Sequence, residues 1–136
     1  MGRKTRSVPK ANYRNYIRKS DEFHRSARQA FERGDWNAAV SHAVHAALCM
    51  SDAVTVFYSG TRSAGEGHKE ILRLFTALRI DRTDLDRNLA HLRALLQLKT
   101  TSEYEDRLLG EEDADASLRH ADRFRQWALA KLAASG

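Results

Sequence analysis

Cysteine and proline are almost missing from this chain of 136 residues: Cys49 is the only thiol and Pro9 the only proline. A lone cysteine excludes an internal disulfide and a cysteine zinc cluster. It stands among Ala47, Leu48 and Met50, the surroundings of a buried, inert thiol. With Pro9 so near the start, nothing after it interrupts a helix. Long apolar runs are missing too. The apolar stretches last a few residues, whereas a membrane-spanning helix needs about 20. The opening segment MGRKTRSVPKANYRNYIRKS holds no apolar run of the signal-peptide kind. The expectation is a cytoplasmic protein without a membrane partner.

What is present is charge, unevenly placed. Residues 1–33 hold ten Lys/Arg against three Asp/Glu, a balance of +7. Residues 34–100 hold eight against seven, or +1, and residues 101–136 five against eight, or −3. The basic front end, with Arg3, Lys4, Arg6 and Lys10 in a flexible leader over residues 1–10, is a candidate for contact with nucleic-acid phosphate. A solvated tail would look the same. A single domain is expected over residues 11–136.

The apolar spacing of that domain is helical. Tyr13, Tyr16, Ile17, Phe23, Ala27, Ala30 and Phe31 recur mostly at steps of three and four, predicting a first helix over 11–33 that stops at Gly34. Asp35 is placed to cap a second helix over 36–58. Residues 60–67, rich in glycine, read as a flexible loop. A third helix is expected over 68–79. Thr83 with Asp86 resembles a capping box opening a fourth helix, whose end is blurred by the weak helix formers of 99–102. A last helix over 112–133 begins with acidic residues, as a helix N-terminus favours. No strand pattern competes. The fold expected is all-α, an up-and-down bundle of four or five helices.

The second helix, WNAAVSHAVHAALCMSDAVTVFY, is apolar around most of its circumference and should be central. His42 and His45 stand three apart, but no third ligand is close in sequence, so no metal is expected. Asn37, Ser41, His45 and Asp52 share a narrow polar sector. That sector either faces water or lines a cleft to which His45 and Asp52 contribute from about 10 Å apart along the axis.

These residues carry a resemblance. FERGDWNAAVSHAVHAALCMSDAV resembles the junction between the first two helices of HEPN domains, a G-D-aromatic-x-A-(A/V) pattern filled by Gly34, Asp35, Trp36, Ala38, Ala39 and Val40. LLQLKTTSEYED is similar to the R-x-x-x-D-Y stretch of many small members, with Lys99, Glu103 and Tyr104 in those places. EEDADASLRHADRFRQWA resembles the family's last helix. The resemblance covers residues 11–133. It implies a helical bundle, commonly dimeric. It further implies either a metal-independent ribonuclease of toxin–antitoxin or anti-phage systems, or a non-catalytic partner, often beside a nucleotidyltransferase.

The family's nuclease signature is R-x(4–6)-H, often with a polar residue in the second helix. Arg holds phosphate and His moves a proton. After Lys99 no histidine follows within six residues. Arg87 and His91 stand i, i+4 on one helix face, one intervening residue short of the signature. Arg18–His24 and Arg62–His68 satisfy the spacing from other elements and read as chance.

The leading expectation is thus a non-catalytic binding module for nucleotide, nucleic acid or protein, without cofactor, using His45, Asp52, Lys99, Glu103 and Tyr104. The alternative is a ribonuclease using Arg87 and His91, which should then converge with Asp52. A third reading is an antitoxin-like interaction partner, which would present a large exposed apolar patch.

Overall fold

The computed structural model describes residues 5–64 and 68–134. Strand β1 (Thr5–Ser7) and a 3-10 turn (Lys10–Asn12) precede α1 (Tyr13–Glu32) and α2 (Trp36–Ser59). Strand β2 (Thr61–Ser63), α3 (His68–Ala77), α4 (Leu85–Tyr104) and α5 (Glu111–Ala134) complete the order. The fold is all-α, a bundle of α1, α2, α4 and α5 with the short α3 at one end.

Helix α2 is central: it packs against α1, α4 and α5. Five of its six alanines, Ala39, Ala43, Ala46, Ala47 and Ala53, are buried, and their small size lets the neighbouring backbones come close. Val40, Met50 and Val54 fill the space between them, meeting Leu89, Leu92 and Leu95 of α4 and Phe124 of α5 in one core. By length and composition alone α2 would pass for a membrane span, with a mean hydropathy of 1.3, which revises the reading of short apolar stretches. Yet 72% of that window is buried inside the bundle. One buried hydroxyl crosses the α1–α2 seam, Ser20 Oγ donating to the Ala46 carbonyl at 2.7 Å.

The helix ends are set by backbone devices more than by side-chain caps. Gly34 takes φ +78° and donates to the Phe31 carbonyl, closing α1. Asp35 stands at the start of α2, but its side chain makes no cap bond. Its carboxylate turns back to Arg33 at 3.2 Å. Thr83 is not a cap either. Its amide donates to the Asp81 carboxylate, and Asp84, at φ +63°, is the residue before α4. Asn88 closes that turn, bonding the Asp84 carbonyl through Nδ2 at 2.7 Å. Helix α4 runs on to Tyr104, past the weak segment. There the Thr100 and Thr101 hydroxyls bond back to the Leu96 and Gln97 carbonyls, and Lys99 pairs with Glu103. At the start of α5 the Gly110 amide donates to the Asp113 carboxylate at 3.0 Å, half of a capping box.

Two strands were not expected. Thr5–Ser7 of the leader pairs antiparallel with Thr61–Ser63, in the register Thr5↔Ser63, Arg6↔Arg62 and Ser7↔Thr61. Gly60, at φ +67°, ends α2 and turns the chain into β2, and its carbonyl accepts from the Val8 amide at 2.8 Å. Part of the leader, and part of what reads as a flexible loop, are therefore held by each other.

Candidate functional site

Three polar clusters stand on this frame. The first joins α2 to the end of α4. Ser41, Val44 and His45 face Lys99, Ser102 and Glu103 across a recess of about 20 Å³, room for one water. Lys99 Nζ donates to Glu103 at 3.0 Å. The His45 ring stacks on Phe23 of α1, with centroids 4.8 Å apart and planes 26° apart. His45, Lys99 and Glu103 are thus brought together, but as a closed contact in which the lysine is already answered. Tyr104 is not part of it; it is 73% exposed at the end of α4. Asn37 of the same α2 sector does other work, its side-chain oxygen accepting from the Leu109 amide at 3.1 Å.

Asp52 belongs to a second cluster, between α1, α2 and β2. Its carboxylate accepts from Arg62 Nε at 3.2 Å, and the Arg62 guanidinium lies 5.6 Å from the Tyr16 ring centroid. Burial pushes Asp52 from its ordinary 3.8 up to about 6, outweighing the attraction of Arg62 and Lys19. Burial, with Asp52 adding to it, also raises the Cys49 thiol to about 11, so Cys49 holds almost no thiolate at neutral pH. Arg6 lies across the strand pair from Arg62. Lys10 places its ammonium 4.3 Å from the Phe57 ring centroid, a cation–π contact. Arg3 and Lys4 lie outside the described residues.

The third cluster is on α4 and α5. Arg87 is exposed and meets Asp84 at 3.5 Å. His91, one turn on, meets a residue that sequence reasoning missed: His120 of α5, Nδ1 to Nδ1 at 2.9 Å. One ring must donate and the other accept, so the pair shares a proton. Burial lowers both imidazoles below the usual histidine range. Arg123 and Arg87 add to this at His91, while His91, Arg119 and Arg123 add to it at His120. Asp52 is bonded to Arg62 in the second cluster and does not join Arg87 and His91. No spacing rule could have paired positions 91 and 120; the antiparallel packing of α4 on α5 does it.

Among the chance matches to the nuclease spacing, Arg18, His24 and Arg62 have ordinary partners. Arg18 pairs with Glu22. His24 lies 2.8 Å from Asp122, which also takes both Arg28 contacts. The same His24 nitrogen cannot also accept from Arg28 at 3.2 Å while donating to Asp122; the shorter contact and the carboxylate charge favour donation. Arg125 binds Asp21 beside them, so α1 and α5 are clamped by ion pairs. Among the described residues no group of three His, Cys, Asp or Glu could hold a metal ion. Their exposed large apolar side chains are Tyr104 and Leu108, far from a broad apolar docking face.

The model of the HEPN domain family matches residues 13–132. No curated protein and no solved structure gives a match.

Proposed function

The chain belongs to the HEPN domain family, and from that premise we propose that it is a non-catalytic module that binds RNA. The observation that carries this is the state of the Lys99 position. Where the family's nucleases present an arginine followed by a histidine, this chain has a lysine held by Glu103 at 3.0 Å, with an exposed tyrosine next along. No imidazole stands within six residues after it, and the bases that do stand beside it, His45 and Glu103, are taken up by the stack on Phe23 and the bond to Lys99 in a recess with room for one water.

Charge supports RNA as the partner. Arg6, Arg14 and Arg25 are exposed and free of ion pairs with the described residues. They lie in residues 1–33, whose balance is +7. Such cations gain most from releasing the counterions of a phosphate backbone. The reading includes a homodimer in the cytoplasm and leaves room for a nucleotidyltransferase-type partner. These parts rest on family habit and composition, and light scattering tests the first.

A second reading, a metal-independent endoribonuclease, is favoured by one contact, the His91–His120 pair with Arg87 one turn away. One experiment separates the two. Mixed RNA is incubated with the purified protein and with His91→Ala, and binding is followed as salt rises. The module predicts no cleavage by either protein. It also predicts a log–log salt slope of about −2, equivalent to roughly three phosphate contacts on single strands, and a shallower slope for Arg14→Gln/Arg25→Gln. Cleavage that disappears in His91→Ala would overturn it in favour of the enzyme.

A further inference from the structure

The His91–His120 pair is unlike the other polar contacts between helices. Between α1 and α5, Arg28 meets Asp122 and Arg125 meets Asp21, each a cation answered by a carboxylate, and His24 also meets Asp122. His91 and His120 meet each other instead, Nδ1 to Nδ1. The charges bearing on them are all positive: Arg87 from α4 and Arg119 and Arg123 from α5. Arg87 and Arg119 are partly answered by Asp84 and Asp115 on their outer sides. Arg123 is exposed and makes no ion pair or hydrogen bond with the described residues.

Two chemistries suit converging imidazole nitrogens, a metal cation and an anion. The arginines decide between them. A dication would sit among guanidiniums with only two protein ligands, and among the described residues no third His, Cys, Asp or Glu completes a set. An anion would be drawn to the same place. We propose that the α4–α5 surface around His91, His120 and Arg123 is a proton-linked binding site for a phosphate monoester. In the empty site one proton serves both Nδ1 atoms. When a second proton arrives, both become donors and can no longer face each other. They can then point side by side at the oxygens of one phosphate, with Arg123 closing over a third. A monoester, with three terminal oxygens and up to two charges, uses all of these donors, whereas a backbone diester offers two oxygens and one charge. The monoester is that of a free nucleotide or of the 5′ end of an RNA. The inference stands apart from the binding of RNA along α1, and fails or holds separately from it.

Because the site takes up a proton, affinity rises as pH falls, by up to about tenfold per pH unit while the ligand stays a dianion, and levels off below about pH 6, where the monoester gains a proton of its own. The test is an NMR titration of the intact protein's histidine ring resonances with inorganic phosphate, then AMP, then a short RNA carrying either a 5′-phosphate or a 5′-hydroxyl. The expected result is that phosphate and AMP move the His91 and His120 signals together and raise their titration midpoint, leaving His42 and His45 still. Preference for the 5′-phosphorylated RNA identifies the RNA end as the source; equal RNA binding with a response to AMP identifies the free nucleotide. Arg123→Gln, exposed and without a structural partner, should lower the phosphate affinity about tenfold with helical content unchanged. Silent His91 and His120 signals up to saturating phosphate overturn the proposal. So does a response to zinc but not to phosphate, or an Arg123→Gln variant that binds phosphate as the wild type does.

Discussion

Asp52 sets the sharpest expectation for a single residue. Its side chain is only 15% exposed, and its carboxyl titrates near 6 in the fold against 3.8 ordinarily. The folded state therefore holds the proton more tightly than the unfolded chain. Stability from this group is gained as pH falls through 6 and is absent above it. At about 1.4 kcal/mol per pH unit, keeping Asp52 ionised costs the fold about 3 kcal/mol at neutral pH. Urea unfolding of the wild type and of Asp52→Asn at pH 7 and pH 5 checks the sign. The wild type should gain about 1 kcal/mol on the variant at the lower pH; no gain would mean the carboxyl is solvated. The same scale divides what sequence can tell. Lys99 and Glu103 share a face by helix spacing alone, and His45 joins them because α2 and α4 are neighbours. The bond from Asp52 to Arg62 depends on where a strand lies after α2, which no periodicity encodes.

At the scale of elements, the helices and the Gly34 stop were legible and the side-chain caps at the helix starts were not. Periodicity reflects burial, and burial follows from amphipathic packing, so the helix bounds expected for α1, α2 and α5 fall within two residues of those observed. Capping depends on one or two torsions, and here Asp35 and Thr83 gave way to Arg33–Asp35 pairing and to the Asp81 turn. The two strands were invisible because Thr-Arg-Ser in each has no apolar alternation. The link from α2 to the α4–α5 connection is a similar case: Asn37 holds the Leu109 amide, and Leu109 is buried in the core. Asn37→Ala should cost about 1–2 kcal/mol, the penalty of an unanswered amide. Hydrogen exchange at Leu109 should quicken while the α2 amides stay protected.

For the whole molecule, one core holds everything, and α3 is attached to it through aromatics. Phe75 meets Phe124 at 6.0 Å and Trp127 at 6.1 Å between centroids. Phe124 is fully buried, so Phe124→Ala should cost about 3–5 kcal/mol, enough to remove much of the stability of a domain this size. Thermal unfolding should lose its single sharp transition or shift far down. A variant that unfolds at the wild-type temperature would mean the core is split.

The strand pair joins the chain's leader to the end of α2, and that has a kinetic meaning. Thr5 and Ser63 are partners, so the ladder closes a ring that includes all of α1 and α2. Closing such a ring costs roughly 3–4 kcal/mol of chain entropy, against a ladder of three residues a side. The helices inside the ring need no such closure; α1 and α2 meet through a short turn. The ring should therefore close after the helical hairpin has formed and open before it melts. Amides of β1 should exchange with solvent orders of magnitude faster than those of α2, and a chain emerging N-terminus first must wait for residue 63 before its opening segment finds its place.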